Sequence, residues 1–225
     1  MKLSIIIPVL NEEKSINGFL KNLQTLRTGG HELIVVDGGS QDQTEHCCNG
    51  LCDVFLGAEK GRALQMNEGA SQASGEVLLF LHADTVLPNN VDLLIEKTLR
   101  KPECIWGRFD IKLTGSSILF SLIALLMNIR SRLSGIATGD QAIFVKTEAF
   151  RRLGGYERIP LMEDIAISKQ LKRIASPVCL KEKVVTSSRR WEENGTLKTI
   201  VLMWRLRLAY FLGADPKVLV EKYYR

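Results

Sequence analysis

Three short apolar runs in the first ninety residues each end in a polar cluster that contains a carboxylate. They are Ser4–Leu10 before Asn11-Glu12-Glu13, Leu33–Val36 before Asp37-Gly38-Gly39-Ser40, and Val77–Leu81 before His82-Ala83-Asp84. Runs of this length, rich in Ile and Val and without polar alternation, are typical of parallel strands covered on both faces. Ligands of such sheets bind beyond the carboxyl ends of the strands. The pattern therefore predicts one crevice lined with carboxylates, which suits a divalent cation and the hydroxyls of a nucleotide or sugar.

Helical spacing of apolar positions separates these runs. It predicts helices over Lys14–Leu26, from about Asp42, over Gly61–Ser74 and over Val91–Arg100, with a weak strand over Asp53–Leu56. The alternation of strands and helices predicts a parallel, right-handed α/β sheet with helices on both sides.

The second half is less regular. It predicts strands over Ile105–Leu113 and Val178–Thr186, and a turn followed by a strand over Gly139–Val145. For the first strand an antiparallel direction is left open, and Val178–Thr186 is expected at an edge of the sheet. Predicted helices cover Ile118–Leu133, Lys146–Leu153, Ile165–Ile174 and Thr196–Leu212, before a short tail. Without repeats or linkers, we expect one domain over residues 1–225. Its nucleotide-binding half is 1–100, its acceptor and catalytic half 101–195, and its C-terminal helix and tail 196–225.

Composition narrows the class of protein. With 225 residues, 45% hydrophobic and 24% charged, the chain resembles a globular domain. The net charge of +5 leaves open a solvated basic face, or attraction to a phosphorylated substrate or an anionic membrane. Because no stacking aromatics interleave the basic clusters, we expect no nucleic-acid partner. Five cysteines without C-x-x-C spacing predict reduced thiols, and the absence of a signal-peptide pattern predicts a cytoplasmic location.

Two apolar helices leave their contacts open. No run reaches the roughly 18 to 20 apolar residues of a membrane span. Ile118–Ile129 is therefore a buried or interfacial helix, which packs in the core, in a homodimer or on the inner face of a membrane. The same alternatives hold for the amphipathic helix Thr196–Leu212.

The loop after the first strand carries two interpretations. Pro8 cannot donate to a strand ladder, so it ends the pairing and frees the following backbone for a ligand. Glu12 or Glu13 is a candidate to hold a ribose hydroxyl. The alternative is a helix start, with Asn11 as the cap and the Glu pair at the positive helix end.

The loop after the second strand is equally open. Asp37 beside Gly38-Gly39 is a candidate to accept an N–H of a base, and the alternative is a structural turn capped by Ser40 or Asp42. Neither the G-x-G-x-x-G pattern nor the P-loop pattern is present. Their absence argues against a dehydrogenase and an NTPase.

Two further clusters carry candidate chemistry. Asp84 at the end of a buried strand suits Mg²⁺ or Mn²⁺ that shares pyrophosphate oxygens. His82 is a candidate nitrogen ligand, or else a strand histidine bonded to backbone. Glu163-Asp164 opens a helix, which favours ionised carboxylates, so the pair holds a candidate general base or merely caps the helix.

Taken together, these blocks resemble family 2 glycosyltransferases of the GT-A fold. The matching residues are Ile5–Pro8 to Asn11-Glu12-Glu13, Val35–Ser40 to Asp42 and Thr44, Leu81–Asp84, Gly139-Asp140-Gln141 and Met162-Glu163-Asp164. Gly61–Gly69 with Leu206–Gly213 resembles a narrower group, the radical-SAM/selenodomain-associated transferase 2 proteins. The match covers roughly residues 3–175 in order and spacing.

The resemblance implies a mostly parallel central sheet with a smaller antiparallel, acceptor-side portion, and it implies a role for each matching residue. Pro8, Asn11, Glu12, Asp37, Arg62 and Asn67 would line the nucleotide-sugar pocket, and Asp84 with His82 would hold Mn²⁺ or Mg²⁺ on the diphosphate. Asp140, Gln141, Arg190 and Trp191 would lie on the acceptor side, and Asp164, assisted by Glu163, would be the catalytic base. His82 replaces the first D-x-D carboxylate, and Ser187 stands where processive members have Gln.

These observations favour a metal-dependent, inverting glycosyltransferase that uses a nucleotide-diphosphate sugar, most simply UDP-linked, and an unknown acceptor hydroxyl. A non-catalytic nucleotide-sugar or partner-binding module is one alternative. A nucleotidyltransferase is the other, although the first loop lacks the Gly and Arg that such an enzyme needs.

Overall fold

The sheet contains eight strands in the part of the chain that the structure describes. The structure is a computed structural model that describes residues 1–224, with the side chains of Arg190, Asn194 and Tyr224 outside the described part. The strands are β1 (Leu3–Val9), β2 (Glu32–Asp37), β3 (Val54–Gly57), β4 (Val77–Phe80), β5 (Thr85–Val86), β6 (Trp106–Leu113), β7 (Phe144–Lys146) and β8 (Val178–Thr186). Their spatial order is β3-β2-β1-β4-β7-β6-β8-β5.

The helices connect and cover these strands. They are α1 (Ile16–Asn22), α2 (Gln24–Thr28), α3 (Thr44–Cys48), α4 (Arg62–Gln72), α5 (Val91–Leu99), α6 (Ile118–Ser134), α7 (Thr147–Arg152), α8 (Glu163–Lys172), α9 (Arg189–Asn194), α10 (Thr196–Phe211) and α11 (Pro216–Tyr224). Gly139–Gln141 forms a single 3-10 turn before β7. None of the helices within residues 1–224 is long and apolar enough to cross a bilayer.

Strand directions divide the sheet into two parts. β1 pairs in parallel with β2 and β4, and β2 pairs in parallel with β3. β7 is antiparallel to both β4 and β6, while β6 and β8 run parallel. The predicted α/β class, with a mostly parallel sheet and a smaller antiparallel portion, is confirmed.

Burial on both faces explains why the first strands lack polar alternation. Ile5 and Ile7 of β1 pack into one apolar cluster with α1 and α5, whereas Ile6 packs into a second cluster with α4 and Phe150 on the opposite face. Both sets are fully buried. A continuous apolar run is the sequence that such a strand requires.

Several predicted elements differ from the structure. Lys14–Leu26 is two helices that meet at Leu23, whose side chain stays buried, so the apolar spacing runs through the break unchanged. Val178–Thr186 is a strand, but the prediction that it lies at an edge is wrong, because β5 pairs with Val185 and Thr186. Helix α8 begins at Glu163 rather than Ile165. The two-residue strand β5 and the short helix α9 have no periodicity to detect.

A third apolar cluster ties the C-terminal helices to the second half. Leu161, Met162 and Ile165 pack with Leu206 of α10 and Leu219 of α11. The turn that begins α8 is therefore supported from behind by α10. The division of the chain into functional halves stays a prediction.

Candidate active site

A cavity of about 230 Å³ lies at the carboxyl ends of β1 and β4. Its wall is formed by Pro8, Val9, Leu10, Glu12, Lys60, Gly61, Arg62, Gln65, His82, Ala83, Asp84 and Arg189. Five of the residues singled out from the sequence meet there: Pro8, Glu12, Arg62, His82 and Asp84. This is the edge of a parallel sheet at which ligands bind.

A larger hollow of about 980 Å³ lies at the amino ends of β1 and β4, and it is open to solvent. Four of its charged side chains form two ion pairs. Arg100 bonds Glu96 at 2.8 Å and Arg152 bonds Glu148, both one helical turn apart. None of the described residues singled out from the sequence lines this hollow, so we place the candidate site at the carboxyl ends.

The loops after β1 and β2 are joined to each other by their polar residues. The backbone N–H of Asn11 donates to Ser40 Oγ at 2.8 Å, and the Gln41 N–H donates to Asn11 Oδ1 at 2.8 Å. The Glu12 N–H donates to Thr44 Oγ1 at 2.8 Å. Asn11 holds a positive φ of 55°, which Asn tolerates better than most residues. Asn11 therefore has a structural role between the two loops, and its contact with a nucleotide stays a prediction.

Asp37 uses both carboxylate oxygens within its own turn. Oδ2 accepts the N–H groups of Gly39 at 3.0 Å and Ser40 at 2.9 Å, and Oδ1 accepts the Ser40 hydroxyl. This is the structural turn that the sequence left open. Oδ2 has both lone pairs in use, whereas Oδ1 has a second one with which it can still accept a base N–H.

Gln65 is a buried residue that sequence reasoning missed. Its Nε2 donates to the carbonyls of Val9 and Val36, both at 2.8 Å. It thereby joins the ends of β1 and β2 beneath the cavity. Its position in α4 at helical spacing gave no signal of this role.

Positive charge gathers on one side of the cavity. Lys60, Arg62 and Arg189 come from the loop before α4, the first turn of α4 and the start of α9. Arg189 Nη2 lies 3.9 Å from Glu12 Oε1, which is close enough for an ion pair. Three cations around a small polar cavity suit a diphosphate. The sequence analysis named only Arg62 of the three.

His82 lies between the cavity and the 3-10 turn. A Cβ added at Gly139 would come within 2.6 Å of His82 Nε2, so only glycine allows this approach. Burial and the nearby positive charge of Arg62 lower the pKa of His82 to about 3. A neutral imidazole at neutral pH retains a lone pair that can bind a metal ion.

Glu163 and Asp164 begin α8 beside this turn. Asp164 Oδ2 accepts the Gly139 N–H at 3.1 Å, and Oδ1 accepts the Ile165 N–H at 2.7 Å. Met162 before them has a positive φ of 70°, a strained conformation for a side chain of this size. Such strain is found where a local geometry is held for function.

Burial changes the proton affinity of this pair. It raises the pKa of Glu163 to about 7, with the neighbouring Asp164 adding to the rise and Arg62 opposing it. Burial also raises the pKa of Asp164, although the Gly139 and Ile165 N–H groups oppose it and Asp140 adds to the rise. The helix end favours the ionised forms, as the sequence indicates, but desolvation outweighs that effect and raises both pKa values.

Of the residues predicted to lie near the acceptor, Asp140 interacts electrostatically with the Glu163 and Asp164 pair. Burial raises the pKa of Asp140, and its charge acts on Asp164. Asp140 Oδ1 and Gln141 Nε2 are buried without a hydrogen-bond partner among the described residues, whereas Gln141 Oε1 accepts the Thr138 N–H at 3.1 Å. Arg130 of α6, which sequence reasoning missed, interacts electrostatically with Asp140 and Asp164. Two of its guanidinium nitrogens are buried and also have no hydrogen-bond partner among the described residues.

Asn67 and Trp191 lie away from the cavity wall. Asn67 Nδ2 donates to the Tyr156 carbonyl and its Oδ1 accepts the Tyr156 N–H, both at 2.8 Å. Trp191 packs on the apolar cluster beneath β6 and α6. Both side chains have structural partners, and the ligand contacts that the resemblance implies for them stay predictions. The side chain of Arg190 falls outside the described residues.

The donor set fits a cation that is shared with a substrate. Within residues 1–224 no three His, Cys, Asp or Glu side chains form a complete metal site. Asp84 is exposed in the cavity and His82 is neutral, so the chain supplies one carboxylate and one imidazole. Mg²⁺ and Mn²⁺ at nucleotide sites take their remaining ligands from phosphates and water.

The chain is similar to known proteins in sequence. Poly-beta-1,6-N-acetyl-D-glucosamine synthase of Staphylococcus epidermidis is 27% identical over 188 residues, which cover 75% of this chain and 45% of that protein. The chain thus spans less than half the length of this relative.

Two solved structures share the fold. TarS 1–349 of S. aureus in complex with UDP-GlcNAc superposes with a TM-score of 0.66 at 19% identity, over 83% of this chain and 58% of that chain. Mannosyltransferase PcManGT of Pyrobaculum calidifontis, in complex with GDP-Man and Mn²⁺, gives 0.65 at 20% identity over 92% and 60%.

These likenesses confirm the predicted GT-A fold, while the narrower selenodomain-associated group stays a prediction. The family model described as glycosyl transferase family 2 matches residues 4–149 of the 225. This chain therefore belongs to glycosyl transferase family 2.

Proposed function

We propose that the chain transfers a sugar from a nucleotide-diphosphate sugar to an acceptor hydroxyl, with inversion at the anomeric carbon and with Mn²⁺ or Mg²⁺ on the diphosphate. The similar structures contain UDP-GlcNAc in one case and GDP-Man with Mn²⁺ in the other. They support a nucleotide-sugar donor and a divalent cation. A UDP-linked donor is our first choice, and a GDP-linked donor is the competitor that the experiment below includes.

One observation carries the proposal. Gly139 contacts both halves of the chemistry, because its N–H bonds Asp164 and its Cα packs on His82. The candidate base Asp164 and the candidate metal ligand His82 thus both contact Gly139, which lies between them. A sugar joined to a diphosphate in the cavity would have its anomeric carbon near this junction.

The donor side is built for a diphosphate. Lys60, Arg62 and Arg189 line the cavity, and the amino end of the 11-residue helix α4 begins at Arg62. Their charges would offset the negative charge that grows on the departing nucleoside diphosphate. Asp84, with His82, would hold the cation, which supplies further charge stabilisation to the same oxygens when bound.

On the acceptor side, Asp164 would accept the proton of the attacking hydroxyl. The hydroxyl oxygen forms a bond to the anomeric carbon, and the bond from that carbon to the diphosphate oxygen breaks. The electron pair leaves with the nucleoside diphosphate, and the proton remains on Asp164. Attack opposite to the leaving group inverts the configuration.

The raised pKa of Asp164 makes it a better base than an exposed aspartate. Proton transfer is most efficient when the pKa of the base approaches the working pH. Because the pKa of Glu163 is about 7, the pair exchanges a proton near neutral pH. The positive charge of Arg62 stabilises the ionised form of Glu163. Glu163 would thus tune the base rather than replace it.

The donor site is tested by calorimetric titration of UDP and GDP with Mn²⁺, with Mg²⁺ and with EDTA. We expect UDP to bind more tightly with a divalent cation than with EDTA, and Asp84→Ala to abolish that difference. Glu68→Ala, which removes an exposed carboxylate further along α4, is the matched control and should retain it. Cation-independent binding in the native chain would reject the metal site.

Catalysis is tested by the release of free nucleoside diphosphate from UDP-sugars and GDP-sugars. An enzyme of this kind transfers slowly to water when the acceptor is absent, and we expect measurable hydrolysis with one donor. Tight donor binding without any release of UDP or GDP would instead establish a non-catalytic binding module.

A further inference from the structure

Exposed apolar side chains are concentrated on two helices. Of eighteen large apolar residues exposed in the described part of the chain, seven lie on α6 and six lie on α10 or at its C-cap. On α6 they include Leu122, Leu125, Leu126 and Ile129, and on α10 they include Val201, Trp204 and Leu208. Their spacing of three and four residues places each set on one helical face. Soluble proteins seldom expose so much apolar surface without a partner.

The two faces belong to one region of the molecule. Phe120 and Ile123 on the buried side of α6 share an apolar cluster with Ile200 of α10. Ile136, two residues beyond the end of α6, packs in the cluster that contains Leu206 of α10. Because the inner sides of both helices meet the first cluster, and the segment after α6 meets the second, we take their outer sides as neighbouring parts of one surface. We name this surface the α6–α10 face.

The charges of this face have one sign. Residues 118–134 and 196–212 contain five Lys or Arg and no Asp or Glu. Lys198 and Arg205 are exposed, and neither has an ion pair within 4.0 Å among the described residues. Arg132 pairs at 2.7 Å with Asp110, which also pairs with Arg108. An apolar centre with unpaired cations at its margin complements an anionic lipid surface. In a two-fold dimer the same face would bring like charges together.

We propose that the α6–α10 face docks on an anionic membrane surface, with both helices lying along the interface between headgroups and acyl chains. Trp204, 71% exposed on the outer side of α10, would lie at the headgroup level, where tryptophan is favoured. The inner side of α10 packs on Met162, so the start of α8 would lie about 10 Å, one helix diameter, from the bilayer.

The test is co-sedimentation of the full chain with phosphatidylcholine vesicles, with and without phosphatidylglycerol. Two unpaired cations predict a preference of about thirtyfold for the anionic vesicles at low ionic strength, which salt should reduce. Trp204→Glu and the pair Leu125→Glu with Leu126→Glu should each abolish binding. Lys198→Gln with Arg205→Gln should reduce only the preference for anionic lipid.

Leu93→Glu is the matched control. Leu93 is 59% exposed on α5 and belongs to neither α6 nor α10, so this variant should sediment with vesicles as the native chain does. Thermal unfolding of every variant verifies that it is folded. Tryptophan fluorescence gives a second readout. Trp106 is fully buried and Trp191 is partly buried against the core, so exposed Trp204 should account for a blue shift on anionic vesicles.

Three results would overturn the proposal. The first is no binding to either vesicle, and the second is equal binding to neutral and anionic vesicles. The third is a stable dimer in light scattering that Trp204→Glu dissociates, which would establish a second copy as the occupant of this face. None of these measurements depends on nucleotide binding, so they leave the proposed transferase activity to its own tests.

Discussion

The backbone N–H of Gly139 donates to Asp164 Oδ2 at 3.1 Å. This bond fixes the first turn of α8 to the 3-10 turn before β7, two segments that are 25 residues apart in the chain. It also orients one oxygen of Asp164, because a carboxylate that accepts a backbone N–H has a preferred direction. The same glycine packs on His82, so a single residue sets the separation between the candidate base and the candidate metal ligand.

Gly139→Ala should therefore disturb both groups. The new methyl group would lie 2.6 Å from His82 Nε2, and the imidazole has to move to admit it. We expect turnover to fall about a hundredfold, as for a displacement of about 1 Å in an active site. Steady-state kinetics and Mn²⁺-dependent UDP binding measure the effect. Gly18→Ala is the control, since its Cβ meets nothing within 4 Å in α1 and it should stabilise the fold by about 0.5 kcal/mol.

Asp164→Asn should separate catalysis from binding. The amide oxygen can still accept the Gly139 N–H, which retains the contact between the two turns. The amide nitrogen replaces the oxygen that accepts the Ile165 N–H, so that bond is lost, and the amide cannot take a proton from the acceptor. We expect turnover to fall about a thousandfold, the usual scale for loss of a general base. Calorimetry with UDP and Mn²⁺ should give an unchanged affinity. Native turnover in this variant would transfer the role of the base to another group.

Glu163→Gln should change how stability depends on pH. The pKa of Glu163 rises from its ordinary 4.5 to about 7 on folding, so the native state binds more protons than the unfolded state between these values. The free energy of unfolding therefore falls as pH rises through this window, by about 3 kcal/mol for the full shift. Glutamine has no charge to bury, so the variant should gain melting temperature over the native chain from pH 5 to pH 8. A constant difference across that range would contradict the assignment.

The strands and the crevice could be predicted because their cause is local. Ile5, Ile6 and Ile7 are buried in succession, and a strand buried on both faces has a continuous apolar run that is visible in the sequence. The polar residues that follow each strand were correctly expected at one edge of the sheet. What those residues contact depends on partners about thirty residues away, which periodicity does not reveal.

Asn11 illustrates the limit. A polar residue at the end of a strand suggests a ligand contact, but its backbone and side chain bond the neighbouring loop at Ser40 and Gln41. Arg189 illustrates the converse. Nothing in the sequence marks it as a site residue, because the fold alone brings the start of α9 to the cavity beside Glu12.

The raised pKa values of Glu163 and Asp164 could not be predicted from the sequence either. Position at a helix start favours ionisation, and that much is visible from the pattern. Burial depends on the tertiary packing of α8 and the 3-10 turn, and it raises the pKa of both carboxyls instead. Desolvation is larger than the opposing effect of the helix end, and it can be known only from the folded structure.

Asn67→Ala decides between the role implied by resemblance and the role that the contacts indicate. A residue of the nucleotide wall would weaken UDP binding when it is removed. Asn67 instead bonds both backbone groups of Tyr156 at 2.8 Å, and burial with the nearby Glu163 and Asp164 raises the pKa of the Tyr156 hydroxyl. Loss of the amide should lower the free energy of unfolding by about 2 kcal/mol, since it leaves buried backbone groups unpaired.

Turnover in Asn67→Ala should fall as well, because Tyr156 packs beside the catalytic pair, while the affinity for UDP with Mn²⁺ should stay within about twofold of the native value. Arg62→Ala is the informative contrast. Arg62 lines the cavity, so its loss should weaken UDP binding by about tenfold or more, as expected for a hydrogen bond to a charged group. If Asn67→Ala lost UDP affinity at an unchanged melting temperature, the implied nucleotide contact would be restored and the bracing of Tyr156 would be secondary.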